Sequence, residues 1–308
     1  MIAIRLGLYL SLMLLVGFAA FPLYALRKGE RCDGAILATR RVLIFWAVAA
    51  ILLSLLGFLA LVAAMMGSSI AEVDWQTSRS IIVETPIGAA WVVRVVALIA
   101  CLFAAILIKR SDEARLVAIL GTSTAALATL VWTGHAGATE GMVGGIHKVS
   151  DMLHMIAAAI WLGGIAAFLK MLRAPDDGLW GDRPNVAHRA LDSFARIGTI
   201  SVAVIVVTGL INGQILVGIS NITALFDSTY GWLLIVKLLL VGMMMLLAAQ
   251  NRWRLTPGLA IALSDGDIAK AVAALRASLL LEAAAGILVL GAVAWLGTLE
   301  PTASAAMS

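Results

Sequence analysis

Polar residues interrupt this chain rarely, and they come in clusters. Between the clusters run eight apolar stretches, near 2–26, 42–66, 87–108, 114–134, 150–172, 194–217, 230–250 and 273–297. Each has about the 20 residues a helix needs to cross a hydrocarbon core of roughly 30 Å. The runs are continuous, where a membrane barrel would alternate apolar and polar positions. Lipid also tolerates no open sheet edge. The pattern therefore predicts an all-α, polytopic membrane protein: a bundle of eight transmembrane helices forming a single domain over 1–308. The first run is too long for the core of a signal peptide. Its end, Phe21-Pro22-Leu23-Tyr24-Ala25-Leu26-Arg27-Lys28, is a poor cleavage sequence. It is expected to remain as a helix.

Composition narrows the class further. The chain is 62% hydrophobic and 13% charged, against about 45–50% and 25% for a soluble domain. This excludes a pair of soluble domains, a disordered chain and a disulfide-stapled scaffold. The net charge of +4 would suggest a nucleic-acid partner if the basic residues formed one patch. They are instead sorted by loop. Arg27, Lys28, Arg31, Arg40, Arg41, Lys109, Arg110, Arg115, Lys170, Arg173, Arg183, Arg189, Arg252, Arg254 and Lys270 follow odd-numbered runs, and Arg79 and Lys148 alone follow even-numbered ones. By the positive-inside rule the odd loops are cytoplasmic and both termini lie outside. The basic excess is thus a topology signal, and the partner it implies is a lipid bilayer, with no nucleic acid. Glu72, Asp74, Glu84, Glu140, Asp151, Asp227 and Glu300 give the outer side an acidic surface. Such a surface concentrates cations, unless the acids merely balance the basic inner loops.

Two segments recur. Gly17-Phe18-Ala19-Ala20-Phe21 parallels Gly164-Ile165-Ala166-Ala167-Phe168, and Gly88, Trp91 and Arg94 parallel Gly231, Trp232 and Lys237. The offsets suggest two tandem halves, 1–134 and 145–308, in parallel orientation because each holds an even number of spans. Arg94, Lys237 and Glu282 lie within the apolar runs, where a charge must face the bundle or a wet cavity. They form either an ordering ion pair, Lys237 with Glu282, or a polar pathway.

Three of the four histidines fall within 20 residues, between the fourth and fifth runs. If the fifth helix begins near 146, His147, Asp151 and His154 share one face at i, i+4, i+7 spacing, and Trp161 continues the stripe. If Ser150 is the N-cap, His147 moves into the loop. His135 ends the fourth run and can approach. Imidazole binds copper, zinc, iron or nickel, while thioether sulfur selects copper(I). Met142, Met152 and Met155 lie in the same stretch, Met65 and Met66 end the second run on the same side, and Met243, Met244 and Met245 lie in the seventh. The expected metal set is His135, His147, Asp151 and His154, with Met155 or Met142 as softer ligands, and the expected ion is copper. The alternative is a b-type haem held between His135 and His154. Cys32 and Cys101 form no CxxC pair. No P-loop, HExxH or Ser-His-Asp pattern occurs, so no enzyme is expected.

Several stretches also resemble a known family. His154-Met-Ile-Ala-Ala-Ala-Ile-Trp161-Leu-Gly163-Gly164 and Thr133-Gly134-His135-Ala136 are similar to segments of the CopD (copper resistance protein D) family. So are Phe194-Ala-Arg196 through Thr208-Gly209-Leu210-Ile211-Asn212, Tyr230 through Lys237, Asn251 through Pro257, Leu275-Arg276 through Glu282, and Leu296 through Leu299. The resemblance is strong in the second half and loose in the first. It implies an eight-helix copper homeostasis protein of the bacterial inner membrane. Such a protein would move copper inward and act beside a periplasmic CopC-like copper-binding partner.

Overall fold

A computed structural model of the chain describes residues 1–31, 34–37, 39–109, 111–173, 182–218, 223, 225–265 and 268–300. Cys32 and Arg110 lie outside the described residues. Eight helices there are long and apolar enough to cross a bilayer: Ile2–Ala25, Thr39–Met66, Pro86–Leu107, Asp112–Thr133, Gly141–Met171, Arg183–Leu216, Thr229–Asp265 and Ile268–Leu296. No strand occurs among the described residues. The protein is an all-α polytopic membrane protein.

Three spans run further than their apolar stretches. The fifth begins at Gly141, with Glu140 at its N-cap, so Ser150 is no cap. Its hydroxyl bonds the Thr208 carbonyl at 3.2 Å instead. The sixth starts at Arg183, with Pro184 in its first turn. Proline is tolerated there because the first N–H groups have no partner in the helix. Apolar length measures only the lipid-embedded part, and nothing in the polar flank breaks either helix. The seventh span continues past 250 through a π-helical turn, Asn251–Leu255. Pro257 accounts for that turn: it has no N–H to give and its ring crowds the preceding turn, so the helix widens just before it. The segment between the second and third spans also holds a short helix, Trp75–Glu84.

The first and fifth spans form the centre. The first packs on the second, fourth, fifth and eighth, and the fifth packs on the fourth, sixth and eighth. Gly17 and Gly163 set their approach: a Cβ on Gly17 would stand 2.3 Å from the Gly163 Cα, and one on Gly163 would stand 2.1 Å from the Gly17 Cα. Just beyond, Phe21 meets Phe168 edge to face, with ring centroids 5.0 Å apart.

The loop charges sit where helices end. Arg31 donates to the carbonyls of Pro22 and Leu23, Arg40 to those of Ala105 and Ile106, Arg115 to that of Ile108, and Arg276 to that of Leu172. These carbonyls lie at the C-termini of the first, third and fifth spans, where the helix dipole also favours cations. One end of the bundle is therefore basic. The opposite end holds the start of the first span and the end of the eighth, joined by Arg5 donating to the Gly297 carbonyl. It also carries His135, His147 and His154.

Candidate metal site

At the histidine end, the fourth span closes in a 3-10 turn, Thr129–Thr133. A four-residue helix, His135–Ala138, then folds onto the start of the fifth span. Glycine permits this close return, because a Cβ on Gly144 would lie 2.1 Å from the Thr139 carbonyl oxygen. The return brings Thr139 against His147, with the hydroxyl 2.9 Å from Nδ1.

Each of the three histidines has one ring nitrogen committed. The Thr139 hydroxyl gives its proton to the His135 carbonyl, so it accepts from His147 Nδ1–H. The Thr208 hydroxyl gives its proton to the Val204 carbonyl, so at 2.9 Å it accepts from His154 Nδ1–H. His135 Nε2 lies 3.2 Å from the Leu296 carbonyl, which can only accept. The remaining lone pairs are therefore Nε2 of His147, Nε2 of His154 and Nδ1 of His135. Metal-ligating imidazoles are oriented in the same way, by a partner on the other nitrogen. His135 lies between the fourth and fifth spans. Burial pushes its pKa below the ordinary histidine value, against the Leu296 carbonyl and with help from Arg5, and so favours the neutral, ligating form.

His147, Asp151 and His154 do share one face of the fifth span, as their spacing implies. His147 is 2% exposed. Asp151 accepts a long bond of 3.4 Å from Asn212 of the sixth span. Gly209 leaves room for the His154 ring, whose Cε1 lies 3.7 Å from where a glycine Cβ would stand. His147 and His154 are seven residues apart, about 10 Å along a helix. One ion cannot sit symmetrically between them. Accordingly, no group of three or more His, Cys, Asp or Glu residues closes around a common point among the described residues. Of the predicted set, His147, Asp151 and His154 lie as a ladder of successive steps down one helix, and His135 lies on the short helix before it. Met155 is buried beside the ladder, while Met142 is 84% exposed on the first turn of the fifth span.

The intramembrane charges pair otherwise than expected. Glu282 takes no bond from Lys237. Its carboxylate accepts from Trp161 Nε1 and from Asn251 Nδ2, both at 3.0 Å. Lys237 sits higher in the bundle, within electrostatic reach of Asp151 and His154. The reason is register: Lys237 is 14 residues before Asn251, roughly 20 Å along the helix. Arg94 pairs with no carboxylate among the described residues and donates to the Thr129 hydroxyl at 2.8 Å and the Thr129 carbonyl at 3.3 Å. Two of the outer acids are helix caps: Glu72 accepts from Ser69 N–H and Asp74 from Thr77 N–H. These bonds hold both carboxyls below their usual range.

Sequence reasoning missed Thr139, Thr208, Asn212 and Asn251. Their signal was available as isolated polar side chains in or beside apolar runs. Thr208 gives a direct test. A Thr208→Val variant keeps the shape and removes the acceptor for His154 Nδ1–H. On the expectation that His154 ligates copper, copper affinity measured by competition with a chelator falls about 10–100-fold, the usual effect of losing such a partner.

Residues 1–146 match the family described as copper resistance protein D-like, N-terminal domain, and residues 188–296 match copper resistance protein D. The chain is 38% identical to copper resistance protein D of Pseudomonas syringae pv. tomato, over 99% of this chain and 98% of that one. It is 29% identical to the inner membrane protein YebZ of Escherichia coli, over 97% of this chain and 98% of that one. It is also 29% identical to the copper transport protein CutJ of Bacillus subtilis, over 79% of this chain and 44% of that longer protein. No solved structure gives a significant match. With both family matches, and an identity that runs the length of the bundle, the chain belongs to the copper resistance protein D family.

Proposed function

We propose that this protein is a copper permease of the bacterial inner membrane that takes copper from the periplasmic side toward the cytoplasm. Both termini and the histidines then face the periplasm, in keeping with the basic opposite end. One observation carries the reading. His147, Asp151 and His154 descend one face of the fifth span, and each imidazole keeps one nitrogen lone pair after its hydrogen bonds are assigned. Neutral imidazole with a free lone pair is a copper ligand. Such steps suit conduction, which needs binding strong enough to enter and weak enough to leave.

His135 and His147 receive the ion, Asp151 and His154 hold it next, and Met155 or Met142 supplies thioether. On arrival copper takes the place of Lys237 as the partner of Asp151. The cargo then passes Met244, which is 3% exposed while Met243 and Met245 are 43% and 38% exposed. A periplasmic CopC-like protein delivers the copper. The halves 1–134 and 145–308 act as a pair about the first and fifth spans. This accords with the meeting of Phe21 and Phe168, equivalent positions of the two repeats.

The test is uptake. Proteoliposomes holding the full chain are expected to accumulate copper(I) offered outside, several-fold above protein-free vesicles. Accumulation no greater than in protein-free vesicles would refute transport.

A further inference from the structure

Glu282 lies at the middle of the eighth span and is 1% exposed. Its bonding partners, Trp161 of the fifth span and Asn251 of the π turn in the seventh, are neutral. No cation pairs with it among the described residues. Arg276, on its own helix, is committed to the Leu172 carbonyl. Arg252 of the π turn reaches the sixth span at Thr199, and Arg254 of that turn and Asp265 at the end of the following helix are exposed. Lys237 of the seventh span lies within electrostatic reach of Asp151 and His154. The fifth span brings no charge to this level: His154 is two turns higher and Lys170 is at the far end. The first span has no charged residue between Arg5 and Arg27.

An ionised carboxylate without a counter-charge costs several kcal/mol inside a membrane protein. Two neutral donors offset only part of that cost. Two further polar oxygens nearby are unpartnered: Asn251 Oδ1, on the amide that holds Glu282, and Ser278 Oγ, one turn before it on the same helix face. A hydroxyl and an amide oxygen beside a carboxylate can shelter a proton or a small cation. The site also lies on the route. Trp161 is seven residues below His154 on the stripe of the fifth span. Met244 Cε comes within 3.5 Å of where a Cβ on Gly286 would stand, and Gly286 is one turn above Glu282.

We propose that Glu282 is a proton-exchanging carboxylate: it holds a proton within the bundle and releases it when a cation passes. The step breaks the carboxyl O–H bond and sends the proton to water, leaving the carboxylate paired with the passing cation. No electron is transferred. As a partner of copper movement this rests on the permease reading, but the protonation itself does not.

The experiment therefore has two arms on the full chain in lipid nanodiscs or vesicles. In metal-free infrared difference spectra, wild type is expected to show the C=O stretch of a buried protonated carboxyl. That band should disappear in Glu282→Gln, persist in Asp151→Asn, and shift in Trp161→Phe, which loses one bond to the carboxyl. No such band in wild type, or its survival in Glu282→Gln, overturns the proposal without bearing on copper. In the second arm a trapped pH dye follows copper(I) addition. Wild type is expected to release protons, and Glu282→Gln to release less than about a tenth as many while still binding copper. Equal release by the two proteins overturns the coupling. Failure of wild type to bind copper overturns the permease reading and leaves the infrared arm standing.

Discussion

Replacing Gly17 with leucine is expected to prevent the bundle from assembling. The first and fifth spans cross with no space between backbones, and a Cβ on Gly17 meets the Cα and N of Gly163 and the carbonyl of Ala159. All of these are main-chain atoms, which no rotamer change can move aside. Overpacking a core ordinarily costs about 1–3 kcal/mol. Here the two central helices must separate, and every contact that depends on them is lost with them. Small residues at such crossings supply the close van der Waals packing that holds membrane helices together. The expected outcome is loss of monodisperse protein after detergent extraction, by size-exclusion chromatography. Gly57→Leu provides the contrast, because a Cβ there meets one flexible side-chain carbon of Ile4 at 3.4 Å. That variant should extract normally. A well-behaved Gly17→Leu protein would mean that the two spans do not cross at this point.

The second large effect concerns the ladder. Cells expressing His135→Ala/His154→Ala are expected to lose essentially all copper accumulation attributable to this protein, at wild-type protein levels. On the proposed reading each substitution removes a ligand outright. The loss in affinity should exceed the roughly 100-fold that follows when only a ligand's hydrogen-bond partner is removed. Each histidine holds the fold by few contacts: His135 bonds the Leu296 carbonyl and packs on Tyr230, and His154 bonds Thr208 and the Ile205 backbone. A chromatographic profile like that of wild type should therefore accompany the defect. Normal accumulation by the double variant would remove the histidines from the pathway.

How much of this could be read beforehand depends on the kind of signal. The eight spans were legible because hydrocarbon allows almost no exceptions to apolar patterning. Their ends were less so: the fifth span starts at Gly141 rather than near 150, and the seventh runs on through the π turn at Asn251–Leu255. Helices continue into water wherever no residue breaks them, and hydropathy does not report that. The stripe of His147, Asp151 and His154 was legible because helical spacing is fixed. The partner of Glu282 was not. Lys237 was the obvious candidate by charge, yet relative helix register decides such pairings, and a single sequence carries little information about register. Trp161 was legible as the continuation of that stripe, but its indole bond to Glu282 was not. The acidic outer residues looked alike in sequence, but the carboxylates of Glu72 and Asp74 accept cap hydrogen bonds, while Glu140 holds an N-cap position without such a bond.

The central claim is that copper is bound by the histidines at the terminal end of the bundle. It is tested most directly by metal analysis of the purified full chain, desalted after exposure to copper(I), with an absorption spectrum taken on the same sample. Wild type is expected to retain stoichiometric copper and show no haem Soret band, and His135→Ala/His154→Ala to retain almost none. No retained copper in wild type, undiminished copper in the double variant, or a Soret band with reducible α and β bands would contradict the account.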